Sequence, residues 1–208
     1  LIEVAPQAHL LLLVVHHIAS DVWTQNILER ELRELYQSRL ENRSADLPEL
    51  SIQYADYALW QRRYLSGAVL EKKLRYWEEK LGGTSPLNLP TDYPRPAVQS
   101  TRGALYTFDI APDLYASLQQ LSKQAGATMF MSLLSVFKVL LYRYSGQEDI
   151  AVGTPTAGRL QAETEDLFGF FVNTLVLRSS LNHQLTFNGL LDQVRNTTLE
   201  AYSHQDVP

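Results

Sequence analysis

The chain reads as short apolar runs alternating with stretches of helical spacing. Residues 8–17, "AHLLLLVVHH", form a continuous apolar run bounded by polar residues. The run is too short for a typical helix, which predicts a strand buried on both faces. From Trp23 the period changes. Ile27, Leu28, Leu32, Leu35, Tyr36 and Leu40 recur at helical spacing with Glu and Arg between them. Ser20 or Asp21 stands where such a helix needs a cap. The first element is therefore expected to be strand, tight turn and helix, with His16, His17 and Asp21 at the turn. Turns held between rigid elements are places where sites are built.

A second helical pattern starts near Tyr54, and Leu70, Leu74, Trp77 and Leu81 make a further stripe ended by Gly82-Gly83. "TSPLNLPTDYPRPAVQS", residues 84–100, carries four prolines and predicts an extended connection. Beyond it, "GALYTFDI" alternates like a strand, and residues 113–125 have helical spacing through Leu114, Leu118 and Leu121. "ATMFMSLLSVFKVLLYRYSG" predicts an apolar helix capped by Thr128, with Gly146 near its end. "DIAVGTP" and "FFVNTLVLR" read as buried strands, and "LTFNGLLDQVRNTTLEAYSH" as a last helix. Strands and helices mix on both sides of the prolines. This predicts an α/β protein with two lobes, residues 1–85 and 103–208, joined by residues 86–102.

Composition narrows the function. In 208 residues, 45% are hydrophobic and the formal net charge is -5, with no Lys/Arg block, so nothing points to nucleic acid or an anionic membrane. There is no cysteine, which removes disulfides, thiol nucleophiles and thiolate metal sites and fits a cytoplasmic protein. The longest aliphatic run, Leu10 to Val15, is too short to cross a bilayer, and the N-terminus lacks the pattern of a signal peptide. A chain that opens on Leu and closes on "HQDVP" is expected to be an internal piece of a longer protein.

His17 is the sharpest chemical candidate. A neutral imidazole takes a proton near neutral pH, provided it is held in one orientation. Asp21 stands close enough to hold it, or to pin the turn through an ion pair. The competing reading makes His16 and His17 satisfied polar groups of the core. In a strand the two rings point to opposite faces, so at most one faces a given cleft. A metal site is disfavoured, because His9, His183 and His204 are scattered and no third ligand has suitable spacing. "VGTPTAGR", residues 152–159, lacks the lysine and glycine spacing of a phosphate loop. Asn173 and Thr174 interrupt an apolar strand, either for a cross-strand hydrogen bond or to shape a channel. Trp23, Trp60 and Trp77 lie on helical stripes and read as core. Ser20 reads as a cap, since no "GxSxG" surrounds it.

Taken in order, these stretches resemble a known family. "VVHHIASDVW" is similar to the HHxxxDG core motif of nonribosomal peptide synthetase condensation domains. "YADYALWQ", "RYSGQEDIAVGTPTAGR", "GFFVNTLVLR" and "HQDVP" resemble its other conserved stretches. HHxxxD alone is shared with other acyltransferases of the chloramphenicol-acetyltransferase-like superfamily; the ordered set is more specific. The resemblance implies two lobes of that superfamily arranged as a V, both incomplete here, with a tunnel between them. A donor peptidyl carrier domain would present an acyl or peptidyl thioester there on a phosphopantetheine arm, an acceptor carrier domain would present an aminoacyl thioester, and an amide would form. An adenylation domain would belong to the same assembly, with no cofactor bound directly by this chain.

By motif position His17 is the functional residue, as base or as orienting group, with His16, Asp21 and Val22 around it. Asn173 and Arg159 belong to the channel or its structural support. Val22 departs from the usual glycine, and would change the turn or narrow the channel. The family's arginine-bearing N-terminal motif is missing, which leaves Asp21 short of its expected partner. An isolated chain of this kind is expected to be poorly stable and inactive. The alternatives are an epimerising, ester-forming or starter relative, a non-catalytic domain that only docks carriers, and a free-standing small-molecule acyltransferase.

Overall fold

The computed structural model describes residues 1–98 and 100–208. They form two compact units interleaved along the chain. The first unit comprises residues 1–71, 155–173 and 206–208, and the second comprises residues 72–154 and 174–205.

The first unit opens with a hairpin. β1 (Ile2–Ala5) pairs antiparallel with β2 (Ala8–Leu10), setting Ile2 opposite Leu10 and Glu3 opposite His9. The expected long buried strand is not observed. β2 stops at Leu10, and residues 11–16 continue without regular structure and fully on the surface. Among the described residues no strand pairs with them. An apolar run becomes a two-sided buried strand only where neighbours supply ladder bonds and cover both faces. A short 3-10 turn, His17–Ala19, then leads into α1 (Val22–Leu40). Asp21 caps α1 from an extended backbone, its carboxylate accepting the Thr24 N–H. This satisfies one of the free donors at the helix start. α2 (Tyr54–Tyr64) follows, closed at its start by reciprocal bonds between Gln53 and Asp56.

The second unit holds the hydrophobic core. α3 (Gly67–Leu81) begins in the first unit and lies mostly in the second, followed by α4 (Pro112–Gln124) and α5 (Met129–Ser145). β3 (Asp149–Thr156) pairs with β4 (Asn173–Ser180), and α6 (Phe187–Tyr202) closes the unit. α5 packs on α4 and α6. Met131, Leu134, Ile150, Leu175, Leu177, Leu190 and Val194 are buried together between helices and strands. The caps match the helical signals: Thr128 accepts the Met131 N–H, and Gly146 ends α5 in the left-handed conformation that glycine adopts without strain.

One cation lies inside this core. Lys138 on α5 is fully buried, its Nζ donating to the Leu177 carbonyl and the Ser179 hydroxyl, both at 2.7 Å. Burial pulls its pKa down to about 8, against the opposing field of Asp149.

Two further expectations change. "GALYTFDI" forms no regular strand, and Leu105 and Phe108 are exposed. Alternation marks a segment able to pair, but pairing needs a partner brought from elsewhere in the fold. The tryptophans also differ from the core assignment: Trp23 and Trp60 are exposed, and only Trp77 is half-buried. Among the described residues no single helix is long and apolar enough to cross a membrane.

Candidate active site

The two histidines are neither strand residues nor core residues. His16 is the last extended residue before the 3-10 turn and His17 its first, and both are exposed. What separates them is the turn's hydrogen bonding. The His17 Nδ1 lies 2.6 Å from the Ser20 carbonyl oxygen. A carbonyl only accepts, so Nδ1 carries the proton, and in the neutral ring Nε2 keeps a bare lone pair. His16 is held the opposite way. Its Nδ1 accepts the Ile18 N–H at 3.0 Å, which leaves the proton of its neutral ring on Nε2. Adjacent residues of one type thus present different atoms, and of the two only His17 offers a free basic nitrogen at Nε2.

Asp21 does not touch His17 through any described hydrogen bond; it anchors the turn. The residue is 1% exposed. Its Oδ1 accepts the Thr24 N–H at 2.8 Å, and its Oδ2 accepts the Phe171 N–H at 3.0 Å. Burial alone would raise its pKa, but the bonds from Phe171 and Thr24 and the charge of Arg159 outweigh it and hold the carboxyl below its ordinary range. The start of α1 favours the same charged form.

The missing partner of Asp21 is supplied from within the chain. Arg159 Nη2 lies 3.6 Å from Asp21 Oδ1, and both side chains are almost completely buried. The same guanidinium donates to the Leu167 carbonyl at 2.9 Å, to the Thr164 carbonyl, and to the Thr24 hydroxyl at 3.1 Å. Its central carbon lies 4.1 Å from the Phe171 ring centre and 5.7 Å from that of Trp23. The expectation that Asp21 lacks a counter-charge is therefore corrected: "AGR" ends in it.

These contacts bind residues 158–171 to the first turn of α1. The Thr24 hydroxyl donates to the Gly169 carbonyl at 2.6 Å, and the Trp23 indole donates to the Glu165 carbonyl at 2.9 Å. The Tyr54 hydroxyl donates to the Phe170 carbonyl at 2.7 Å. Two glycines make the approach possible. Gly158 has φ +67, and a Cβ there would fall 1.9 Å from the Phe171 carbonyl oxygen. A Cβ on Gly169 would fall 2.2 Å from the Tyr54 ring. With the backbone held this way, the Phe170 ring meets His17 edge-to-face, 5.2 Å between centres at 85°.

Other candidates take simpler places. Val22 is the first residue of α1 and is 70% exposed. Among the described residues only Asn42 has a positive φ without being glycine, so position 22 makes no demand for glycine's backbone freedom. The Asn173 amide donates to the Val207 carbonyl and ties the "HQDVP" segment to the start of β4. Among the described residues no group of three or more His, Asp or Glu side chains is placed to hold a metal ion. The pattern of the sequence singled out His17 and Asp21, and the resemblance added Arg159. The pattern missed Thr24, Gly158, Gly169, Phe170 and Tyr54 as individual residues; glycine beside aromatics in "GFF" was a signal for Gly169 and Phe170, and Tyr54 and Gly158 lay inside stretches that carry the resemblance.

A family model described as Condensation domain matches residues 1–208. One chain of the linear gramicidin synthase of Brevibacillus parabrevis is 54% identical over the whole of this chain, and tyrocidine synthase 3 of the same organism is 45% identical, again over the whole chain. The chain spans only 4% and 3% of those relatives. Among solved structures, the X-domain from teicoplanin biosynthesis superposes with a TM-score of 0.85 at 28% identity, over 93% of this chain and 44% of that one. A four-domain nonribosomal peptide synthetase bound to AMP and glycine gives 0.80 at 27%, over 93% of this chain and 14% of that one. The mixed helix-and-strand fold is thus the one expected. Matched from end to end by the family model, the chain belongs to the condensation domains of nonribosomal peptide synthetases.

Proposed function

We propose that the complete domain joins a donor acyl or peptidyl thioester to an acceptor aminoacyl thioester, each held on the phosphopantetheine arm of a carrier domain. The adenylation domain that loads the carriers belongs to the same assembly. The observation that carries this reading is the bond from His17 Nδ1 to the Ser20 carbonyl, which leaves Nε2 free to accept. As the acceptor amine attacks the donor carbonyl, Nε2 takes the proton from nitrogen while the new N–C bond forms. The tetrahedral centre collapses, the C–S bond breaks, and the imidazolium returns the proton to the departing sulfur. An α-ammonium with a reference pKa of about 7.7–8.0 loses its first proton readily, so the gain from this base is moderate. Holding two tethered substrates together contributes up to roughly 7–11 kcal/mol in well-oriented reactions.

The similarity to gramicidin and tyrocidine synthases supports the reaction class. The intact anchor around Asp21 speaks for a working turn rather than a domain that only docks carriers. The test is single-turnover transfer between loaded donor and acceptor carriers, followed by intact-protein mass spectrometry on the complete domain. His17→Ala should slow transfer by about 10²-fold or more. A variant that folds and transfers at the wild-type rate would exclude His17 as the base.

A further inference from the structure

We infer that Tyr54 is a positioning residue for His17 and acts through Phe170, a role that rests on His17 being the base. The peptide from Gly169 to Phe171 is held at three consecutive residues by three side chains. Thr24 holds the Gly169 carbonyl, Tyr54 the Phe170 carbonyl, and Asp21 the Phe171 N–H. Thr24 and Asp21 belong to the turn that carries His17. Tyr54 comes from a different element, the first residue of α2.

Its ring adds a steric constraint to the hydrogen bond. It packs on Phe171, 5.1 Å between centres at 80°, and occupies the space where a Gly169 side chain would start. Tyr54 therefore fixes both the carbonyl of Phe170 and the backbone leading into it. The one side chain of this peptide that meets the imidazole is Phe170, edge-to-face. His17 is itself exposed and is held on its other side by a single bond to Ser20. A ring with one polar tether turns about it unless a neighbour limits the motion, and Phe170 is that neighbour. The Tyr54 hydroxyl sets where the neighbour stands.

The experiment uses the complete domain with loaded carriers and compares wild type, Tyr54→Phe, Phe170→Leu, the double variant and His17→Ala. Tyr54→Phe removes one oxygen and keeps the ring, so the fold should survive; Phe170→Leu perturbs the same contact with Tyr54 in place. Each single variant should slow the transfer step about 10-fold at saturating carrier, with carrier KM within about twofold, the scale expected of a slightly misplaced base. In the Phe170→Leu background, Tyr54→Phe should add nothing further. Nitrogen-15 spectra of His17 should move in Tyr54→Phe, with Nδ1 and Nε2 drawn toward a mixture of tautomers. An inactive His17→Ala beside a fully active Tyr54→Phe would overturn this inference and leave the base intact. A full additional 10-fold loss in the double variant would also overturn it, since Tyr54 would then act by another route. An active His17→Ala would remove the base itself, and this role with it.

Discussion

At the scale of single residues, the site depends on which atom of each polar group is already committed. Two histidines side by side were legible in the sequence, but their difference was not. It comes from one carbonyl, that of Ser20, placed by the turn against His17 Nδ1. Asp21 was legible as a cap and as an anchor of the turn. Its counter-charge was not, because Arg159 lies 138 positions further along the chain. Removing the charge of Asp21 tests the anchor. Asp21→Asn keeps an oxygen for the Thr24 cap but turns an amide toward the Phe171 N–H and leaves Arg159 buried without its anion. Breaking a buried pair in this way costs about 3–5 kcal/mol, read as a shift in the urea midpoint of the complete domain. The pH dependence has a definite sign. The folded carboxyl titrates below the unfolded one, so its stabilisation is present above the usual carboxylate value of about 3.9 and is lost as pH falls through the folded value. Asp21→Asn should flatten that acid limb. An unchanged limb would mean that other carboxylates carry it.

At the scale of elements, local signals and long-range signals part company. The helices were legible because their caps and apolar stripes lie within a few residues: Asp21 before α1, Thr128 and Gly146 around α5. The runs at residues 8–17 and 103–110 were misread because a strand is completed by partners, and no local pattern shows whether a partner is beside it. The segment 158–169 had no periodicity to read, yet with Phe170 and Phe171 it carries the anchor. Its two tight glycines give a direct test. Gly158→Ala puts a methyl into the Phe171 carbonyl in a backbone region that alanine resists, and Gly169→Ala puts one into the Tyr54 ring. Gly146→Ala is the control, also at positive φ but with open space around it. The control should lose about 1–2 kcal/mol of stability, the cost of a Cβ in the left-handed region. Gly158→Ala should lose several times more, and Gly169→Ala should lose transfer activity, because His17 moves with Phe170. Equal effects at positions 146 and 158 would show that backbone conformation, and not the close approach, sets the cost.

At the scale of the whole molecule, the two units are built differently, and this predicts how the 208-residue chain behaves by itself. The second unit has a continuous apolar core whose members are nearly all inaccessible. The first buries few large apolar side chains, chiefly Ile27, Leu167 and Phe171, and is held by polar anchors at Asp21, Thr24 and Arg159. It also leaves Leu10 to Val15 on the surface as one contiguous apolar stretch, with Val14 88% exposed. Soluble monomers rarely present such a stretch, and unpaired extended backbone invites association. Hydrogen exchange on the isolated chain should therefore divide it. Amides of α5, β4 and α6 should be protected, while those of residues 11–16 and 103–110 exchange at once. The chain should bind a hydrophobic dye strongly and self-associate in light scattering as concentration rises. Replacing Leu12 and Val14 with Lys should suppress association without changing protection in α5, since both side chains belong to the first unit and are exposed. A chain that stays monomeric and dark to the dye, with residues 11–16 protected, would mean that in solution this stretch finds a cover of its own.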